Sequence, residues 1–363
     1  MPPVTVMIKP VSGACNMRCQ YCFYADEMQH RSTPLYPVMT AETLEAVVRR
    51  SMAYADGQAS FVFQGGEPTL AGVGFFDLFI QLQKKYNARG IPVSNALQTN
   101  GYDLSDEMIS FLAKHQFLVG VSLDGNELIH DRYRRDAKGN GTWAQVRRNM
   151  ARLESACVAF NILCVLTEDA AMNAETVLSA LSGYPYLQFI PCMDALDGKS
   201  SAFSLTNQAY RHFLERSFLR YERAFEEKKA LSIRQFDNWI RILLGYPPEN
   251  CAMKGQCSLG FLIESSGDVF PCDFYALDEW RLGNVNHQSL RQMRRTPTAS
   301  AFCESAEPPA ACLACRWYGL CRNGCRRERD AAGVYRLCAG TKAFLDEYGT
   351  KLEAIAHRLR SGR

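Results

Sequence analysis

The chain has 363 residues, 47% hydrophobic and 22% charged, enough to bury the core of one large domain or two modest ones. That balance excludes a disordered or fibrous chain, and a net charge of +3 excludes a strong field for nucleic acid or a membrane surface. The unusual number is 15 cysteines. The opening MPPVTVMIKP lacks the basic segment and apolar run of a secretory signal. No stretch reaches the roughly 18 apolar residues of a membrane span. The expectation is a cytoplasmic chain whose reduced thiols suit metal or redox chemistry better than disulfides.

Hydrophobic periodicity predicts strands at 4–9, 60–63, 93–97, 118–122, 160–165 and 187–190. Helices are predicted at 41–55, 74–86, 106–115, 143–155, 173–181 and 207–229, with Thr40 as the N-cap of the first. Six βα units of this length argue for an α/β fold, either a parallel sheet or a partial (β/α)6 TIM-like barrel. A breaker at Gly245-Tyr246-Pro247-Pro248 places a boundary near 235–250. Beyond it nine cysteines fall between Cys251 and Cys338, and the Ser266-Gly267-Asp268 turn between two apolar runs reads as a hairpin. The expected division is 1–235 for the α/β part, 236–345 for the cysteine-rich part and 346–363 for a terminal helix.

Polar and glycine residues gather after the predicted strands, where ligands sit in parallel α/β folds. The first strand leads into Cys15, Cys19 and Cys22, and the second ends in Gln64-Gly65-Gly66-Glu67-Pro68. The third and fourth end in Gln98-Thr99-Asn100-Gly101 and Ser122-Leu123-Asp124-Gly125. Thiolates spaced C-x3-C-x2-C suit an iron–sulfur cluster. Three ligands leave one iron of a cubane open, whereas a structural zinc site wants a fourth Cys or His nearby, and none is present.

With Tyr21 before the last cysteine, this segment resembles the signature of the radical S-adenosylmethionine superfamily. The resemblance implies that the amino and carboxylate groups of S-adenosylmethionine chelate the open iron, and that one electron releases a 5′-deoxyadenosyl radical. It also implies that Gly65, Gly66 and Glu67 contact the methionine amine through the backbone. Ser122 and Asp124 would meet its methionine or ribose groups, and Arg134 its carboxylate, with Arg132 or Arg135 as alternatives.

The run Cys257-x9-Gly267-x4-Cys272, then Cys312-x2-Cys315-x5-Cys321-x3-Cys325 and Cys338, resembles the cysteine-rich SPASM domain. By that resemblance Cys251, Cys257, Cys272 and Cys325 hold one auxiliary [4Fe–4S] cluster, and Cys312, Cys315, Cys321 and Cys338 a second. With the front triplet this makes three [4Fe–4S] clusters and leaves four cysteines over. Cys157 and Cys164 are expected as small core residues, Cys192 as core beside the active rim, and Cys303 is given no role.

Longer matches extend the resemblance to anaerobic sulfatase-maturating enzymes: Ile8-Lys9-Pro10, Cys22-Phe23-Tyr24, Phe63 to Gly72, Leu97 to Gly101, Pro271-Cys272-Asp273-Phe274-Tyr275 and Trp280 to Asn284. The resemblance implies hydrogen removal from Cβ of a Cys or Ser in a short sulfatase motif, ending in formylglycine. It makes Asp273 the catalytic base, though a structural acceptor has the same residue type, and Tyr24, Gln64 and Gln98 peptide contacts. The expected partners are a sulfatase polypeptide or peptide and a flavodoxin- or ferredoxin-type electron donor, with no nucleic acid, no membrane and a monomeric chain. One rival is a maturase of a ribosomal peptide forming thioether or carbon crosslinks. Such enzymes often carry a leader-binding domain, for which a first strand at residue 4 leaves no room. Another is a plain electron carrier, which leaves the open triplet unexplained. The arginines Arg322, Arg326, Arg327 and Arg329 read as a solvated face or a field on a cluster rather than a nucleic-acid site.

Overall fold

The computed structural model describes residues 3–304 and 307–362. Ten strands run in chain order: β1 (Val4–Ile8), β2 (Ala59–Phe63), β3 (Val93–Thr99), β4 (Leu118–Ser122), β5 (Phe160–Leu166), β6 (Tyr186–Pro191), β7 (Ser232–Ile233), β8 (Phe261–Ile263), β9 (Asp268–Phe270) and β10 (Gly283–Asn284). The chain forms two compact units. The first takes the chain up to Ser122, Asp131–Phe160 and Ser258–Cys303, and the second takes Leu123–His130, Asn161–Cys257 and the chain from Glu304.

In the first unit β1, β2, β3 and β4 pair parallel in chain order. Alternate residues of β1 and β2 are fully buried, as expected of β-branched and aromatic strands covered by helices. Phe63 meets Phe79 perpendicularly at 4.7 Å and Phe76 at 5.0 Å, which joins β2 to the helix Val73–Tyr86. Burying one such ring is worth about 2 kcal/mol, so this aromatic layer fixes where β2 ends. Thr40 accepts from the Thr43 amide at 3.2 Å and starts the helix Ala41–Tyr54, as the sequence predicts. The predicted hairpin is present as β8 and β9, antiparallel, but β8 also pairs parallel with β1. The stretch Ser258–Cys303 of the cysteine-rich part therefore lies with the front strands, and the spatial division does not follow the linear cut at 235.

In the second unit β5, β6 and β7 pair parallel. The helix Asn207–Glu226 packs on the terminal helix through Phe218 and Phe344, and Trp239 stacks on Phe344 at 5.6 Å. The terminal helix runs Cys338–Arg360, so it starts at a predicted cluster ligand rather than at 346. The Trp317 indole donates to Asp346 at 2.7 Å and ties this helix to the cysteine segment.

The six predicted strands and the larger helices are present with ends shifted by a few residues. Among the unpredicted helices are Phe23–Gln29, Glu127–Tyr133, Glu168–Met172 and Arg234–Leu243. The first shows why: its one buried side chain is Glu27, so no apolar period announces it. The cut at 235 falls inside Arg234–Leu243, which ends just before the Gly245 breaker. Cys157 corrects another expectation. It is exposed, at φ 55°, in the turn after the helix Trp143–Ser155, whereas Cys164 and Cys192 are buried as expected. Arg327 and Arg329 likewise are no solvated face: they donate to the carbonyls of Asp194 and of Asn323 and Gly324.

Candidate active site

The ends of β1, β2 and β8 build the centre of the first unit. In the parallel register Ile8 faces Phe63 on one side and Ile263 on the other. The next residues, Gln64, Lys9 and Glu264, therefore come side by side. The Lys9 ammonium stands 3.6 Å from Glu27, 3.6 Å from Glu264 and 3.9 Å from Asp273, with its side chain 2% exposed. It also lies 4.3 Å from the centre of the Tyr24 ring. Arg31 donates to Glu264 at 2.6 Å, and the Tyr24 hydroxyl donates to Asp273 Oδ2 at 2.7 Å.

Charge in this cluster is uneven, with two cations against three carboxylates. Burial works to raise Glu264, but Lys9 and Arg31 outweigh it and hold the carboxyl below its ordinary range. Burial raises Asp273 against the pull of Lys9, Tyr24 and Gln64. Glu27 is pushed up to about 7, by burial first, with the Asp273 charge adding and Lys9 opposing. Burial, then Asp273, also raises the Tyr24 phenol well above its usual value, so it remains a donor at neutral pH.

Glu27 gives a pH prediction. Its folded value of about 7 lies above the ordinary 4.5. Its stabilising contribution is therefore full below about pH 4.5 and lost as pH rises through about 7. Glu27→Gln removes that slope. Thermal unfolding of oxygen-free protein will show the variant gaining roughly 3 kcal/mol on its parent between about pH 4.5 and pH 7.5. A gap that does not change with pH would show that Glu27 carries no shifted proton.

Beside this cluster runs the cysteine triplet. Cys22 is the N-cap of the helix Phe23–Gln29, which puts Tyr24 and Glu27 on the Lys9 side. The Cys15 sulfur accepts from the Met17 amide at 3.4 Å and from the Asn100 side chain at 3.6 Å. Burial raises the Cys15 and Cys22 thiols, while N–H groups aimed at both sulfurs oppose it. Donors aimed at sulfur favour the thiolate, which is the ligand form an iron cluster takes. Among the described residues no three His, Cys, Asp or Glu converge to hold a single metal ion. A cubane gives each thiolate its own iron and does not ask for that convergence.

The Gly65-Gly66-Glu67 turn supports the triplet from β2. The Gly66 amide donates to Ser12 at 3.0 Å and the Glu67 amide to Ala14 at 2.8 Å. A Cβ on Gly66 would run into the Ala14 carbonyl, and Gly65 sits at φ 117°, where only glycine is unstrained. Glu67 is buried and accepts from the Thr69 amide and hydroxyl, the Thr99 hydroxyl and, at 2.7 Å, the Asn100 amide. That carboxylate fixes the Asn100 backbone, from which the side chain reaches Cys15.

Arg134 is buried, donates to the Tyr21 hydroxyl at 2.9 Å and lies near enough to Cys22 to lower its thiol. Gln98 donates to Ser122 at 3.2 Å. Asp124 belongs to the second unit, where its carboxylate accepts from the Val165 amide at 2.9 Å. Of the predicted residues, Tyr24, Gln64 and Asp273 thus come together around Lys9, and Tyr21 and Arg134 stand by the triplet.

In the second unit Cys312, Cys315, Cys321 and Cys338 lie within electrostatic reach of one another. Burial first, then neighbouring thiolates, raises Cys312, Cys338 and Cys321, the last to about 11. Cys251 and Cys257 act in the same way on Cys325, which burial and Glu328 push up to about 12. These two sulfur groups suit iron–sulfur clusters. Cys272 lies in the first unit.

Residues 10–178 match the radical SAM superfamily, and residues 251–316 match the SPASM iron–sulfur cluster-binding domain. A cysteine-type anaerobic sulfatase-maturating enzyme of Clostridium perfringens is 37% identical, over 99% of this chain and 100% of its own. A serine-type enzyme of Klebsiella pneumoniae is 29% identical over 98% of this chain and 90% of its own. The solved structure of native anSMEcpe with bound AdoMet superimposes with a TM-score of 0.94 at 37% identity, covering 98% of this chain and 100% of that one. The same protein with AdoMet and the Cp18Cys peptide gives 0.93 at 37% identity, over 99% and 100% of the two chains. The chain belongs to the anaerobic sulfatase-maturating enzymes. Its fold is the partial barrel of radical SAM enzymes with a SPASM domain, and its cofactors are [4Fe–4S] clusters and S-adenosylmethionine.

Proposed function

We propose that this enzyme converts a client sulfatase cysteine to formylglycine, with Asp273 as the base. Cys15, Cys19 and Cys22 would hold the cluster that binds S-adenosylmethionine, with the carbonyls of the Gly65-Gly66 turn accepting from its amine and Arg134 meeting its carboxylate. The bound cofactors supply a 5′-deoxyadenosyl radical, which removes a Cβ hydrogen, and a cluster that accepts one electron. The chain's own groups do the rest. Asp273 takes the proton of the substrate thiol as that electron leaves, and the resulting thioaldehyde adds water and releases hydrogen sulfide. Tyr24 and Lys9 hold the two carboxylate oxygens of Asp273, while Gln64 and Gln98 face the peptide.

The observation that carries this reading is the placement of Asp273. It directly follows Cys272, its side chain is 15% exposed, and Tyr24, two residues after Cys22, holds it by a hydrogen bond. Asp273 thus follows a proposed auxiliary ligand in sequence and is hydrogen-bonded to a residue two positions after the front triplet. The higher identity to cysteine-type relatives supports cysteine over serine. The two auxiliary clusters would take the ligand sets Cys251, Cys257, Cys272 and Cys325, and Cys312, Cys315, Cys321 and Cys338. A small flavodoxin or ferredoxin would deliver electrons, with the enzyme acting as a cytoplasmic monomer. No helix among the described residues is long and apolar enough to cross a membrane.

An oxygen-free assay with short sulfatase peptides carrying Cys or Ser tests the function. Aldehyde should form from the Cys peptide in step with 5′-deoxyadenosine, and more slowly from Ser. Deoxyadenosine without aldehyde from either peptide would reject the substrate assignment.

A further inference from the structure

The charge cluster around Lys9 contains more than the reaction requires of a single base. A buried ammonium costs several kcal/mol in lost hydration unless anions surround it. Here three carboxylates do so at 3.6–3.9 Å, and the Tyr24 ring covers it at 4.3 Å. These separations are ion pairs rather than close hydrogen bonds. Their partners differ in how much they need Lys9. Arg31 already holds Glu264 at 2.6 Å. Glu27 meets its own surroundings in part by holding a proton, and it accepts from the Ala276 amide at 3.4 Å. Asp273 has Tyr24 on Oδ2, and Lys9 is the cation that faces its Oδ1.

We infer that Lys9 is a positioning residue for Asp273: braced by Glu27 and Glu264, its ammonium fixes the carboxylate against Tyr24 in the orientation that receives the substrate proton. The inference rests on Asp273 being the base. Lys9 takes part in no bond change; the proton moves from the substrate thiol to Asp273 alone. The geometry makes three fixed points of one triangle. Tyr24 touches Asp273 through its hydroxyl and Lys9 through its ring face, and Lys9 pairs with Asp273. A cation over an aromatic face holds both partners in place. The backbone adds to this, since the Lys9 amide donates to Ile263 at 2.9 Å and so locks Lys9 beside Glu264. A base displaced by about 1 Å can lose a hundredfold in rate, so an unanchored Asp273 would leave the substrate radical formed but unprocessed.

The test compares Lys9→Met, Lys9→Arg and the double variant Lys9→Met/Glu27→Gln, which removes one charge of each sign. Each is reconstituted without oxygen, and iron content, 5′-deoxyadenosine, aldehyde and peptide KM are measured. Lys9→Met should form deoxyadenosine at the parental rate, with KM unchanged, and make about tenfold to a hundredfold less aldehyde per deoxyadenosine. Lys9→Arg keeps the charge on a longer planar head and should fall between the two. If Lys9→Met does not fold, the double variant is read in the same way. A merely structural lysine would lower deoxyadenosine and aldehyde together. Parental coupling in folded Lys9→Met or in the folded double variant overturns the inference. Asp273→Asn separates the two claims: parental coupling there removes the base assignment, whereas uncoupling there with parental coupling in Lys9→Met removes Lys9 alone.

Discussion

Asp273→Asn will cleave S-adenosylmethionine at the parental rate and make about a hundredfold to ten-thousandfold less aldehyde, the range a positioned base contributes. The substitution keeps the shape of the side chain. The amide oxygen can still accept from Tyr24, which bonds Asp273 Oδ2 at 2.7 Å. What is lost is a negative charge and a proton acceptor. With Asp273 neutral, one of the influences that raise Glu27 disappears, so the Glu27 proton leaves more readily and the cluster keeps its charge balance. The fold and all cysteines are untouched, so iron content and visible spectrum should equal the parent's. Simultaneous counting of aldehyde by mass and deoxyadenosine by chromatography decides the matter. Full aldehyde formation by the variant would move the base elsewhere, and a fall in both products together would make Asp273 a structural residue.

Much of the fold was legible because apolar periodicity and turn chemistry agreed. Thr40 capping Ala41–Tyr54, the alternation in β1 and β2, and the Ser266-Gly267-Asp268 hairpin each rest on signals a few residues long. The triplet and the later cysteines stand out in the sequence because iron–sulfur chemistry favours thiols at short, fixed spacings. The pairing of β8 with β1 was not legible, since a three-residue strand carries no address for a partner more than two hundred positions away. That pairing is what sets Lys9 beside Glu264.

Glu27 and Glu264, two of the three acidic partners of Lys9, were missed for a related reason. Neither stands in a motif, and a charge outside one reads as solvated surface. The signal present was a Lys directly after the apolar run Val-Thr-Val-Met-Ile and a Glu directly after Phe-Leu-Ile, two charges closing two buried strands. Burial is costly for either alone, so together they imply a pair. Glu67 is a different case. Its superfamily motif suggests a backbone contact with the cofactor, and its carboxylate is engaged with Thr69, Thr99 and Asn100. What remains for the cofactor is the backbone of the turn.

Cys19→Ala will abolish deoxyadenosine formation and lower the iron content from about twelve to about eight per chain, one cubane fewer. On the proposed assignment, two remaining thiolates cannot hold a cubane that already lacks a fourth protein ligand, whereas the proposed auxiliary ligands are untouched by the substitution. The auxiliary clusters should therefore still form, and the protein should stay brown while losing every reaction that begins with the radical. Cys303→Ala serves as the control and should retain both iron and activity, since Cys303 ends a short helix outside either cysteine pattern. Unchanged iron and deoxyadenosine in Cys19→Ala would mean that the open iron is held by other residues, and the assignment of the front triplet would fall with it.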